Sequence, residues 1–98
     1  MSYLVVCIFE LRNASREDYL YAHMDLGTLG LRQTVKSENG PGFKLPANAV
    51  MGTLEGRSVE DVRTLVGRGV QDIFKARGLR GTFFVVASTD WACAGEST

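Results

Sequence analysis

The sequence predicts an α+β domain in which two helices cover one face of an antiparallel sheet. Three observations predict it. A helix is marked at both ends between Ser58 and Gly78, apolar strand-like runs flank it, and a second, shorter helix opens at Ser15 with the same signature. At 98 residues and 45% hydrophobic, the chain reads as one domain spanning 1–98. It is long enough to bury about two-thirds of the surface its unfolded form would expose.

In chain order, Leu4 to Phe9 (LVVCIF) is rich in β-branched and aromatic residues and apolar on both alternating faces, as a central strand would be. Ser15 followed by Asp18 is a capping pattern, and it predicts a helix through Tyr19, Leu20, Ala22, His23, Met24 and Leu26 that ends near Gly27 and Gly30. Leu31 to Glu38 alternates as a half-exposed or edge strand. Asn39 to Pro46, with two prolines and two glycines, predicts the longest loop. Ala49 to Leu54 predicts a third strand, with Gly52 at a bulge or a close backbone approach.

The second helix starts on Ser58 as N-cap with Asp61 in its first turn. Its apolar stripe is Val59, Val62, Leu65, Val66, Val70, Ile73 and Phe74; Lys75 and Arg77 suit the negative end of its dipole, and Gly78 stops it. Thr82 to Ala87 (TFFVVA) predicts the fourth strand, and Trp91 in the polar tail is expected to pack back on the sheet or on a partner chain.

The resulting order, βαββαβ, is the split βαβ or ferredoxin-like pattern: a four-stranded antiparallel sheet with both helices on one face. Its other face is left bare although the first and fourth strands are apolar on both sides. A homodimer built on that face is the expected way to cover it.

Eleven basic and eleven acidic residues give a net charge of zero, so no field from the whole protein draws it to nucleic acid or membrane. Any polyanion site is therefore a local patch. Cys7 and Cys93 lack metal-ligand and CxxC spacing, and they are expected to be reduced thiols with no disulfide-linked partner. The run before the first strand is too short for a signal peptide, and the strand itself is too short to cross a bilayer; a cytoplasmic protein is expected. Neither glycine cluster matches a phosphate-binding loop, and no GxSxG or activated-cysteine setting suggests covalent catalysis.

His23, the single histidine, is either a packed residue or a general acid or base; Glu10, at the end of the first strand, is a candidate catalytic carboxylate. With Asp18, Glu10 has the hard oxygen donors that magnesium takes, and in a dimer built on the first strand it would approach its own symmetry mate. Arg12, Arg16, Arg32, Lys36 and Lys44 are candidates for one electropositive RNA-binding surface, with Phe43 available to stack on a base.

Tyr3-Leu4-Val5-Val6 opening the first strand, Leu45-Pro46-Ala47-Asn48-Ala49 before the third strand and Ser58-Val59-Glu60-Asp61-Val62 opening the second helix resemble the GhoS family, the endoribonuclease antitoxins of type V toxin–antitoxin pairs. The resemblance covers nearly the whole chain as an order of elements. It implies a ferredoxin-like fold, RNA as partner and sequence-biased cleavage of a toxin's messenger without a covalent intermediate. Glu10 stands where the related CRISPR-adaptation nucleases carry an acidic residue at the end of the first strand, which implies a cation-assisted site. The first helix departs from the family, carrying Tyr21, His23 and Asp25 where basic residues are expected.

Two other readings stand beside this one. The first is a non-catalytic homodimeric interaction module, such as a phage- or plasmid-encoded inhibitor. The second is a small-ligand-binding dimeric α/β-barrel protein, which needs a pocket of about 300 Å³ or more lined by Tyr19, His23, Phe83 and Trp91.

Overall fold

The structure is a computed structural model and describes residues 1–35 and 42–91. Seven elements follow one another: β1 (Ser2–Leu11), α1 (Arg16–Gly27), β2 (Thr34–Val35), β3 (Phe43–Lys44), β4 (Ala49–Glu55), α2 (Val59–Ala76) and β5 (Gly81–Ser88). The predicted α+β class is observed, with two helices on an antiparallel sheet.

β1 lies in the middle of a three-stranded sheet of order β4-β1-β5, antiparallel to both neighbours. The register pairs Cys7 with Val50 on one side and with Val85 on the other. The pleat then sends Tyr3, Val5, Cys7, Phe9 and Leu11 of β1 to one face, where all five are buried. Both helices pack on that face. Ala22 and Leu26 of α1 and Val62, Val66, Val70 and Phe74 of α2 join the same cluster.

Phe9 is the contact common to all layers. Its ring lies 5.9 Å from Tyr19 and 5.6 Å from His23 on α1, and 5.6 Å from Phe74 on α2. Phe74 in turn meets Phe83 of β5 edge-on at 6.0 Å. Cys7 is a buried free thiol, and burial pushes its pKa up to about 11, so it stays protonated at neutral pH. Cys93 lies outside the described residues.

Local signals account for both helices. Ser15 caps α1 in a complete capping box, its hydroxyl accepting from the Asp18 N–H while the Asp18 carboxylate accepts from the Ser15 N–H. Ser58 caps α2 with a single bond, its hydroxyl accepting from the Asp61 N–H, and Gly78 follows the last turn at φ +69°. Leu65 is the exception in the predicted stripe: it is 61% exposed. At about 100° per residue it falls on the far side of Val62 from Val66, Val70 and Phe74, outside the arc that the sheet covers.

The sheet departs from the expected four strands. Among the described residues, the segment predicted as the second strand is hydrogen-bonded to β4 through a bridge in which Arg32 and Met51 exchange two N–H···O bonds of 2.9 Å each. Gly52 makes that approach possible, because a Cβ there would run into the Gly30 carbonyl. The chain then turns away and pairs with the following segment instead. Thr34 and Val35 face Lys44 and Phe43, and the Leu45 N–H donates to the Gln33 carbonyl at 2.8 Å.

Phe43 and Lys44, expected in a loop, thus form a short strand, while residues 36–41 of the predicted strand and loop lie outside the described residues. Trp91, expected to pack back, is 51% exposed on this chain. Among the described residues no helix is long and apolar enough to cross a membrane.

Because Phe9 fills the junction of three elements, Phe9→Ala is expected to lower stability by about 3–5 kcal/mol in chemical denaturation, whereas Leu65→Ala should stay within about 0.5 kcal/mol of wild type. Equal losses from the two substitutions would contradict the packing described.

Candidate functional site

Alternation along β1 separates the two residues proposed for catalysis. Glu10 is exposed on the face that the helices leave open, paired with Thr82 and next to exposed Ile8. His23 lies on the other side of the sheet, against Phe9. Its Nε2 is 2.5 Å from the Ala47 carbonyl, which can only accept, so Nε2 is the donor in this contact. Its Nδ1 is buried with no hydrogen-bond partner among the described residues. The ring is thus a peg holding α1 against the turn before β4, and the structure does not bring it to Glu10.

Glu10 borders an open cleft of about 370 Å³ together with Ile8, Asn48, Thr82 and Phe84. Among the described residues no three His, Cys, Asp or Glu side chains gather as metal ligands. Asp18 is engaged in the capping box of α1. Glu10 is the one carboxylate among the described residues that line this cleft.

The candidate RNA-binding residues fall into two groups on opposite sides of β1. Arg12 and Arg16 are exposed in and after the turn that leads from β1 into α1, and the Arg12 N–H donates to the Arg80 carbonyl at 2.7 Å, on the β5 side. Arg32 and Lys44 are exposed on the β4 side, with half-buried Phe43 beside them on β3. Lys36 lies outside the described residues.

Arg12 opens onto a feature that the sequence reading did not assemble. A cleft of about 390 Å³ lies between the β1–α1 turn and the α2–β5 turn, lined by Arg12, Asn13, Asp18, Arg77, Leu79 and Arg80. The sequence marks Arg77 only as a cation suited to a helix end. Its guanidinium is held on two sides: Nε and Nη2 donate to the Asp25 carboxylate at 2.7 and 3.2 Å, and the group lies 4.5 Å over the Tyr21 ring. The signal that could have found this cleft was the strand order. With β1 antiparallel to the last strand, the residue after β1 and the residue before β5 must be neighbours.

The hydrogen bond from Arg77, reinforced by its charge, holds the Asp25 carboxyl below its ordinary 3.8, and the same bond holds the guanidinium above its ordinary range. A carboxyl depressed in the folded state contributes stability that is present above 3.8 and lost as the pH falls through its folded value. The stability difference between wild type and Asp25→Asn is therefore expected to narrow as urea titrations are taken from neutral pH to below 3.8. A difference that stays constant would show that the pair does not couple to folding.

Compared with known protein families, with curated proteins and with solved structures, the chain has no match in any of the three.

Proposed function

We propose that the chain is an RNA-directed protein of the antitoxin type that works as a homodimer with a ferredoxin-like fold. Arg12, Arg16, Arg32 and Lys44 hold phosphates, Lys36 belongs to the same set, and Phe43 stacks on a base. The observation that carries this reading is that the first four stand exposed and, among the described residues, none has a carboxylate within ion-pair distance, whereas Arg77 does. Unpaired guanidinium and ammonium groups on a chain of zero net charge give local positive patches, which phosphates favour. The strand order β4-β1-β5, with Arg32 bridging to the outer side of β4, supports the ferredoxin-like reading.

The test is binding of single-stranded RNA by the purified protein across a salt series, with magnesium or EDTA, beside Glu10→Ala and His23→Ala variants checked for folding. Affinity is expected to fall linearly with salt on a logarithmic plot. Any cleavage is expected to need Glu10 and not the imidazole of His23. Binding that ignores salt, or no binding, would overturn the reading.

A second reading, a non-catalytic homodimeric interaction module, is favoured by the open face of the sheet. Ile8, Phe84 and Val86 are 49%, 64% and 44% exposed there, on adjacent strands, although Leu4 and Met51 of the same face are largely covered. A contiguous apolar surface of this kind favours a second protein surface over water. Wild type is expected to sediment as a dimer, and the double variant Phe84→Glu with Val86→Lys as a folded monomer. A monomeric wild type would remove the dimer from both readings.

A further inference from the structure

The geometry points to the cleft between the β1–α1 and α2–β5 turns as the seat of one internal phosphodiester of single-stranded RNA. This rests on the RNA-directed reading and gives it a location. Three arginines from chain segments far apart in sequence line it, Arg12 on the β1–α1 turn and Arg77 and Arg80 on the α2–β5 turn. The backbone bond from the Arg12 N–H to the Arg80 carbonyl ties the two turns together beneath them. Arg77 is pinned by Asp25 and Tyr21, so its fork is already oriented, and its Nη1 makes no hydrogen bond among the described residues. A guanidinium fixed before binding loses less rotamer freedom on gripping a ligand, and with its Nε and Nη2 on Asp25, Arg77 keeps Nη1 as a charged donor for a phosphate oxygen.

Charge decides which phosphate. Against the three arginines stand Asp18, which borders the cleft, and Asp25 behind Arg77. One positive charge remains uncompensated. That matches the single charge of a phosphodiester and leaves a doubly charged terminal phosphate in excess.

The experiment pairs two readouts. Amide shifts of the ¹⁵N-labelled protein are followed while adding the dinucleoside monophosphate UpU, uridine or inorganic phosphate. UpU is expected to move the Asn13, Gly78 and Arg80 amides, with uridine doing little and inorganic phosphate less than UpU. A fluorescent oligouridine is then titrated against wild type, Arg12→Ala, Arg80→Ala, the conservative Arg77→Lys, and Arg63→Ala on the exposed side of α2 as control. Arg12→Ala and Arg80→Ala are each expected to weaken binding by about tenfold and to reduce the salt slope by about one. Arg77→Lys is expected to weaken binding while keeping the salt slope, and Arg63→Ala to change nothing.

Arg12 and Arg80 are exposed, so these variants should keep the wild-type amide spectrum away from the cleft. Loss of RNA binding confined to Arg32→Ala and Lys44→Ala would overturn the cleft and leave the RNA reading standing. Stronger shifts with inorganic phosphate than with UpU would overturn the phosphodiester assignment. Absence of any salt-sensitive oligouridine binding by wild type would overturn both.

Discussion

The fold depends on one row of side chains, Tyr3, Val5, Cys7, Phe9 and Leu11, that the pleat of β1 sends beneath the helices. β4 and β5 are ordered by pairing with β1, and α1 and α2 by resting on that row. Burying side chains of this size is worth about 1.5–3 kcal/mol each, and the row therefore carries a large part of a domain's marginal stability. Phe9 is the point at which the contributions meet, since it touches both helices at once.

The same alternation divides chemistry from packing. Odd-numbered residues of β1 serve the core; even-numbered ones, among them Ile8 and Glu10, look out from the open face. His23 belongs to the packed side, with Nε2 on the Ala47 carbonyl and Nδ1 enclosed without a partner among the described residues. Polar function is left to the rims of the sheet, where turns carry cations clear of the core. The two arginine-bearing ends of the chain's turns are brought together by strand order and not by nearness in sequence.

Much of this was legible because the signals were local. Ser15 with Asp18, Ser58 with Asp61, and Gly78 each mark a helix end through a hydrogen bond or dihedral within a few residues. The two-faced apolar run of β1 gave its central place. The fate of residues 31–35 was not legible, because alternation says that a segment is extended and not which neighbour it will pair with. Gly52 hinted at a close approach, and the approach is real, but it holds for one bridge before the chain turns to β3. Leu65 shows the other limit: spacing of three and four admits a wider arc than a flat sheet can cover. The Arg77 cleft required the fold itself, because its parts lie on separate turns.

The central position of β1 also sets an order of events during synthesis. Its partners are remote, Ser2 pairing with Glu55 and Leu4 with Ser88, so most of its ladder forms only after the second half of the chain is made. A long-range antiparallel sheet of this kind closes late, after large loops have been ordered. Until β4 emerges, β1 travels as an unpaired nascent segment, and its second edge stays open until β5 follows. An apolar strand with distant partners is thus a stretch for chaperones to hold until those partners arrive.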